Sequence, residues 1–497
     1  MATPVPWTGP GSLKHDPLAS FGKRYHVSSD PVERRNDAAV RPMNALAKAK
    51  RMAEDRWSTM VRQAADPSSR TILLTGVAGI AGRVVTALSQ FAIIPILTDM
   101  LGISGYGAFA VLTGLVTWFA LADFGLGSSL QNYISRSRVG GQSYADALAT
   151  TATFLLLTSV GLFALLMIAG TWIGPALLGG FPGLSRSDMV ASFIAFGIMA
   201  TGAGASFIAM RVSFANHRGY IAHLVYICTA LLGLLGLVIV RAVDPSNKFF
   251  WAVAIYNLPG WLLPMGLLIR QLRSNAGPML AWNRAMLVEL WSKGRIFLLF
   301  NLLQVLVYNV DYVILSQTMP GDQVAIYAIY AKTFSLVYFV FNSLLQAYWP
   351  VTAEILHRRE MDRLKKVVGR CIMLGVLIVL GGTAALFVFR PLIQHLLLHN
   401  TQAVLPVALL PLFAIYWLVR VWTDSFTMVI LGADKVVILC LVIPIQVVLN
   451  LILAYYGSRW FGIPGLLIGS SLSFVLTVAW ALPAYIRIYV RRLGKAA

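Results

Sequence analysis

The chain has 497 residues, 58% of them hydrophobic and 12% charged, with a mean hydropathy of +0.73. A soluble domain carries about 25% charged residues, so this composition cannot wrap several water-soluble cores and excludes a soluble multidomain protein. The formal charge of +20, from 40 Lys and Arg against 20 Asp and Glu, would suggest nucleic acid as the partner of a soluble chain. Here the basic residues stand between apolar runs, and no phosphate-binding glycine loop, HExxH or CxxC pair occurs, so nucleic acid is not an expected partner.

Residues 1–70 are rich in Pro, Asp, Lys and Arg and contain no apolar run long enough for a signal-peptide core. They read as a basic soluble tail, either disordered or carrying an amphipathic interfacial helix over 42–65, with Met43, Leu46, Met52, Trp57 and Val61 on its apolar side.

From Thr71 the sequence falls into apolar blocks of about 20 residues, the length an α-helix needs to cross roughly 30 Å of hydrocarbon. Twelve are predicted, near 72–97, 106–130, 147–173, 189–211, 221–243, 250–270, 295–318, 323–350, 368–389, 403–429, 436–457 and 462–487. The fold class is an all-α polytopic membrane protein with about 12 transmembrane helices. Cys228, Cys371 and Cys440 lie far apart along these blocks and read as small buried hydrophobes, with no metal centre expected.

Polar groups inside such blocks need a partner or water, because a charged side chain at the bilayer centre costs about 2.5–3.5 kcal/mol on insertion scales. The first block places Arg83, Thr86 and Gln90 on one face with Thr75 and Gly79. Asp123 stands near the inner end of the second, open to a capping or an ion-binding role, and His223 near the inner end of the fifth reads as interfacial. The seventh carries Asn301, Gln304, Tyr308 and Asp311 at i, i+3, i+7 and i+10, the eighth Lys332, Ser335, Asn342 and Gln346, and the tenth Trp417, Arg420, Asp424 and Thr427. Stripes of this kind predict helix faces that line water or substrate. Arg83 and Lys332 read either as a cationic cavity for an anionic substrate or as structural pairs, Lys332 with Asp311; Arg420 and Asp424, one turn apart, could neutralise each other.

The placement of basic residues predicts the topology. With residues at block ends given to the adjoining connection, 32 of the 40 Lys and Arg fall in the tail, the C-terminus and alternate connections, and about five in the others. The positive-inside bias puts both termini in the cytoplasm. The outer connections are short, the longest about 17 residues from Trp172 to Asp188, too small for a catalytic domain.

A weak internal repeat with a lag of about 220 residues aligns Tyr106 with Tyr327, Gln90 with Asp311 and Arg83 with Gln304, and a lag near 217 aligns residues 215–218 with 432–435. The repeat predicts two six-helix halves, 71–275 and 276–490, followed by a cytoplasmic C-terminus at 491–497. Six helices per half make the halves parallel, related by an axis along the membrane normal, with a substrate cavity between them.

The stretch 101–135, LGISGYGAFAVLTGLVTWFALADFGLGSSLQNYIS, resembles the second-helix signature of Wzx-type polysaccharide flippases of the MOP transporter superfamily. Leu101-Gly102, Tyr106-Gly107, Phe109 and Asp123-Phe124-Gly125-Leu126 carry the resemblance. A second similar stretch runs from Asp311 through Tyr327, Lys332 and Trp349-Pro350 to Glu354, ahead of the basic loop 358–370. The likeness spans about residues 71–490 and leaves the tail aside.

What it implies is a MATE-like fold and a non-enzymatic transporter that moves an undecaprenyl-pyrophosphate-linked oligosaccharide from the cytoplasmic to the outer face of the bacterial plasma (inner) membrane, for O-antigen or exopolysaccharide biosynthesis. It implies alternating access coupled to H+ or Na+, with Asp123, Asp311 and Asp424 as the available carboxylates, and no other cofactor. Arg83, Gln90, Asn301, Gln304, Tyr308, Lys332, Asn342 and Arg420 are then the candidate cavity residues. Membrane lipids, the lipid-linked oligosaccharide and the glycosyltransferases and polymerase of the same pathway are the implied partners. The rival readings are a MATE-like cation-coupled multidrug exporter and a membrane polysaccharide polymerase or ligase.

Overall fold

The computed structural model describes residues 67–275, 277–398, 403–433, 435 and 437–495. The segment 42–65, where an interfacial helix is one reading of the sequence, lies outside the described residues. The described chain from Arg70 onward is one compact unit, helical throughout and without a strand among the described residues.

The elements in chain order are α1 (Pro67–Gly114), α2 (Val116–Phe119), a 3-10 turn at Ala120–Asp123, α3 (Leu126–Val139), α4 (Ala145–Leu178), α5 (Arg186–Ser206), α6 (Ile208–Ala215), α7 (Gly219–Val243) and α8 (Lys248–Ser274). They continue with α9 (Arg284–Tyr308), α10 (Asp311–Thr318), α11 (Gly321–His357), α12 (Met361–Leu398), α13 (Leu409–Gly432), α14 (Val437–Leu476) and α15 (Val478–Lys495). Side-chain caps mark some starts: Ser185 Oγ accepts from Asp188 N and Asn283 Oδ1 from Met286 N, both at 3.1 Å.

Ten helical runs are long and apolar enough to cross a membrane among the described residues, where the apolar blocks predicted twelve. The difference lies at two runs of 50 and 55 residues, Leu74–Asp123 and Val437–Arg491. Each is interrupted by a glycine with positive φ, Gly102 (73°) and Gly462 (67°), close to where the sequence predicts a boundary between blocks. Around Gly462 the chain folds back on itself, because the Cβ position of Gly465 lies 1.9 Å from Gly457 O and that of Gly469 lies 2.4 Å from Leu453 O. Only side-chain-free positions let two antiparallel backbones approach so closely.

Not all of the predicted spans are continuous helices. The second is broken between Leu115 and Gly125, where Phe124 and Gly125 have φ of 52° and 72°. The seventh is interrupted at Asn309, whose φ of −130° is not helical, while the fourth runs through Phe207 with helical dihedrals. The outer connection predicted at 172–188 is reduced to 179–185, because α4 continues to Leu178. The terminal helix runs on to Lys495, through most of the segment expected as a C-terminal tail.

The largest packing surfaces join α4 to α5, α5 to α8 and α7 to α8, and, further along the chain, α11, α12 and α13 with one another and α13 with α14 and α15. Between these groups α3 packs along α9: Ser129 Oγ donates to Leu290 O at 2.8 Å, and the Cβ position of Gly125 lies 2.2 Å from Gly294 O. The outside of the molecule is apolar, with Leu231, Leu235, Val238 and Ile239 of α7 all exposed. In water such a surface would aggregate; in a bilayer it is the solvated face. Inside, Ser and Thr hydroxyls donate to carbonyls one turn back, as Thr151 does to Ala147 O at 2.7 Å and Ser425 to Val421 O at 2.7 Å.

Candidate functional site

Helix α1 presents two different faces. Val77, Ile80, Val84 and Leu88 are exposed apolar side chains on one of them. At about 100° per residue, Gly79, Arg83, Thr86 and Gln90 lie roughly 130° around the helix from that stripe. Arg83 reaches across to α11, its guanidinium 4.9 Å from the centroid of the Phe339 ring. His223 of α7 lies behind this face, its ring 3.2 Å from the Cβ position of Gly79.

The same helical arithmetic separates α11 into two faces. Tyr327, Phe334, Phe341 and Leu345 are buried against the neighbouring helices, whereas Lys332, Ser335, Phe339, Asn342, Ser343 and Gln346 share the opposite side. On that side Ser335, Asn342, Ser343 and Gln346 are exposed. Lys332 Nζ stands 5.4 Å from the centroid of the buried Tyr106 ring of α1. The aliphatic stem packs inside while the ammonium finds an aromatic face. Lys332 forms no ion pair with Asp311 among the described residues.

Asp311 is not part of a continuous polar stripe, as the sequence predicts. The break at Asn309–Val310 starts a new helix at Asp311, which is buried, whereas Asn301 and Gln304 are half-buried. The Asp311 carboxylate accepts from Tyr327 Oη at 2.7 Å through Oδ2, while Oδ1 has no partner among the described residues. Trp118 Nε1 of α2 donates to Asn309 O at 3.4 Å, which serves a carbonyl freed by the break. Asn301 and Gln304 are half-buried on α9, and the side chain of Tyr308 lies outside the described residues.

Arg420 and Asp424 form a closed cluster instead of lining the α11 stripe. Arg420 is 6% exposed and donates to Asp424 Oδ2 through Nε at 3.2 Å and Nη2 at 3.0 Å. Its guanidinium also donates to Tyr338 Oη at 3.3 Å and Tyr416 Oη at 3.4 Å, and Tyr338 Oη donates to Asp424. Tyr338, Trp417 and Phe474 rings surround it, with centroids 5.0, 5.4 and 5.6 Å from Cζ. A buried guanidinium with this many acceptors and rings is neutralised in place. The sequence suggests the Arg420–Asp424 pairing but not Tyr338, Tyr416 or Phe474, which come from other turns and helices.

Asp123 occupies the break in the second predicted span. Its Oδ1 accepts from Gly125 N at 2.7 Å, which satisfies a backbone donor where α2 and the 3-10 turn stop and α3 begins. The Asp-Phe-Gly-Leu wording is thus a turn at the end of the membrane-length run Leu74–Asp123, with left-handed Phe124 and Gly125.

The site therefore separates into an open polar face shared by Arg83, Thr86 and Gln90 with the Lys332–Gln346 stripe, and closed carboxylate sites at Asp123, Asp311 and Asp424. No group of three or more His, Cys, Asp or Glu side chains is placed to hold a metal ion among the described residues. The MatE family description matches residues 297–456. A Yersinia pseudotuberculosis protein named "Putative O-antigen export protein" is 33% identical over 437 residues, covering 86% of this chain and 98% of its own. The chain belongs to the Wzx-type O-antigen transporter family of the MOP superfamily. A Salmonella typhi O-antigen transporter, whose name carries the same qualifier, is 29% identical over 413 residues, 83% of this chain and 95% of its own. Among solved structures, the inward-facing conformation of a multidrug resistance MATE family transporter of the MOP superfamily aligns with a TM-score of 0.70 at 14% identity, covering 83% of this chain and 96% of that one. This likeness shows the fold: the Wzx-type chain is a helical membrane transporter built on the MATE scaffold.

Proposed function

We propose that this transporter moves an undecaprenyl-pyrophosphate-linked oligosaccharide from the cytoplasmic to the outer face of the bacterial inner membrane, with both termini cytoplasmic. The observation that carries the reading is the open polar face on which exposed Arg83 approaches Phe339 beside Ser335, Asn342, Ser343 and Gln346. A pyrophosphate must keep its charge compensated while its sugar crosses a low-dielectric region, and a guanidinium holds phosphate oxygens bidentately. The amides and hydroxyls of the α11 stripe suit sugar hydroxyls, whose hydrogen bonds to water have to be replaced. The names of the two relatives, an exporter and a transporter of O-antigen, support a glycan cargo.

The coupling ion is assigned to Asp311. Asp123 caps the Gly125 amide and Asp424 pairs with Arg420, whereas Asp311 enters no ion pair and keeps a fully buried carboxylate oxygen without a partner among the described residues. An intramembrane carboxylate with an uncommitted oxygen is the group that a proton or Na+ can compensate.

The test is translocation of a fluorescent undecaprenyl-pyrophosphate oligosaccharide in proteoliposomes with an imposed ion gradient. Wild type is expected to translocate it, Arg83→Ala to lose most of the rate with insertion intact, and Asp311→Asn to lose the dependence on the gradient. Gradient-driven expulsion of a cationic dye without movement of the lipid-linked sugar would overturn the reading in favour of a drug exporter.

A further inference from the structure

Segments that the internal repeat assigns to different halves meet at a tight seam around the connection between α10 and α11. Gln317 Nε2 of α10 donates to Ala176 O of α4 at 2.7 Å. Ser104 and Gly107, just past the bend of α1 at Gly102, pack against Gly321, the first residue of α11. The buried Phe181 ring lies 3.2 Å from the Cβ position of Gly107 and 2.7 Å from that of Gly321. A Cβ on Gly107 would overlap Gly321 O, and one on Gly321 would overlap Ser104 Oγ, so the seam closes to backbone contact only because both positions lack a side chain.

Lys332 lies about 16 Å of helix beyond Gly321 on α11, and the backward tilt of helical side chains aims its stem toward the seam. Its ammonium stands 5.4 Å from the centroid of Tyr106, the neighbour of Gly107 in the chain. Tyr106 is fully buried and its hydroxyl has no hydrogen-bond partner among the described residues, so what it offers Lys332 is the ring face. Arg83 of α1 makes the reciprocal contact with the Phe339 ring, two turns further along α11. Each helix thus holds the other's cation on a ring, and neither cation enters an ion pair among the described residues. A ring attracts a cation weakly, whereas a phosphate brings a full opposite charge and several acceptor oxygens. An anionic group that reaches Lys332 therefore draws the ammonium off Tyr106.

We infer that Tyr106 is a positioning residue that parks Lys332: their contact holds the seam at Gly107 and Gly321 closed, and capture of Lys332 by an anionic head releases it. The coupling is a population shift. Lys332 has to leave the ring to meet the anion, so the anion binds the open seam more tightly than the closed one and draws the molecule toward it. The identity of the anion as the head of the transported lipid rests on the transport reading above, and the placing of the seam on the outer side rests on the positive-inside bias.

The experiment uses the full chain in phosphatidylcholine nanodiscs, with Cys228, Cys371 and Cys440 replaced and spin labels at Pro182→Cys and Asp322→Cys, exposed positions on either side of the seam. The distance distribution between the labels reads the closed and open populations. Without ligand, Lys332→Met and Tyr106→Leu are each expected to raise the longer-distance population about tenfold, the scale of a desolvated cation–π contact. Tyr106→Phe keeps the ring and is expected to leave the distribution unchanged. The double variant with Lys332→Met and Tyr106→Leu is expected to open no further than either single one, because both remove the same contact. Lys332→Met leaves no cavity, so it carries the test even if Tyr106→Leu fails to fold. Inorganic pyrophosphate and polyprenyl diphosphate are expected to raise the longer-distance population in wild type and in Tyr106→Phe, and to leave Lys332→Met as it was. A seam that stays closed in Lys332→Met, additive effects in the double variant, no response of wild type to either anion, or an equal response without Lys332 overturns the inference. Translocation separates it from the transport reading: additive variants in a chain that moves the lipid-linked sugar remove the parking role and leave the function. A coupled Lys332–Tyr106 pair in a chain that translocates nothing removes the function and leaves the parking role.

Discussion

At the scale of single residues, the structure sorts charges that look alike in sequence. Arg83 and Arg420 each stand inside an apolar block, yet Arg83 is exposed beside one ring and Arg420 is enclosed by Asp424 and three rings. Arg420→Ala leaves Asp424 buried without its cation, and we expect a loss of about 3–5 kcal/mol in unfolding free energy, measured in detergent or bicelles. Replacing both partners with Met and Leu is expected to recover most of it, since a buried pair exchanged for apolar groups of similar volume is often neutral. Arg83→Ala is expected to change stability by no more than about 1 kcal/mol, the scale of an exposed cation–π contact, while transport falls. The Arg420–Asp424 pairing was legible from a four-residue spacing on one helix. Phe339 was also within reach, since it lies seven residues from Lys332 on the same face, but nothing local marks a phenylalanine as the partner of an arginine from another helix.

At the scale of elements, the informative features are breaks that hydropathy does not register. An apolar block reads the same whether its helix is continuous or interrupted, so the turns at 115–125 and 309–310 appeared in sequence as plain span. Gly125 has φ of 72° and its Cβ position lies 2.2 Å from Gly294 O, so Gly125→Ala combines left-handed strain with backbone overlap between α3 and α9. Gly102 has φ of 73° with open space around its Cβ position. With ψ of 173° Gly102 occupies a backbone region essentially reserved for glycine, so Gly102→Ala is expected to cost about 1–3 kcal/mol, and Gly125→Ala, which adds backbone overlap to left-handed strain, at least as much, as read from thermal unfolding of the purified variants. Asp123→Asn keeps an acceptor for the Gly125 amide and should preserve both folding and transport. Asp123→Ala should cost about 0.5–2 kcal/mol, the range for losing a helix cap. If Asp123→Asn abolishes gradient-driven transport while Asp311→Asn does not, the assignment of the ion to Asp311 fails.

At the scale of the whole molecule, the topology can be tested with single cysteines in a background where Cys228, Cys371 and Cys440 are replaced. Gln142→Cys and Pro182→Cys, both exposed in connections at opposite ends of α4, should react with a membrane-impermeant thiol reagent from opposite sides. In intact bacterial spheroplasts we expect Pro182→Cys to be labelled and Gln142→Cys to be labelled only after permeabilisation. The reverse result would invert the orientation and put the seam at Gly107 and Gly321 on the inner side.

The sequence by itself determined the membrane class, the helical architecture, the approximate helix positions and the family. These rest on local quantities, such as the length of apolar runs and the wording of one helix signature, which need no knowledge of which segment packs on which. Only the tertiary structure decided which polar groups meet. Trp118 finds Asn309 O across 191 residues of chain, Arg83 finds Phe339 on another helix, and Arg138 at the end of α3, Arg218 between α6 and α7 and Arg270 at the end of α8 converge onto one cavity. In sequence those three arginines only count toward the charge bias of their loops. Their meeting is a consequence of helix packing, because contacts between distant segments are set by the fit of whole helix faces and not by any spacing along the chain.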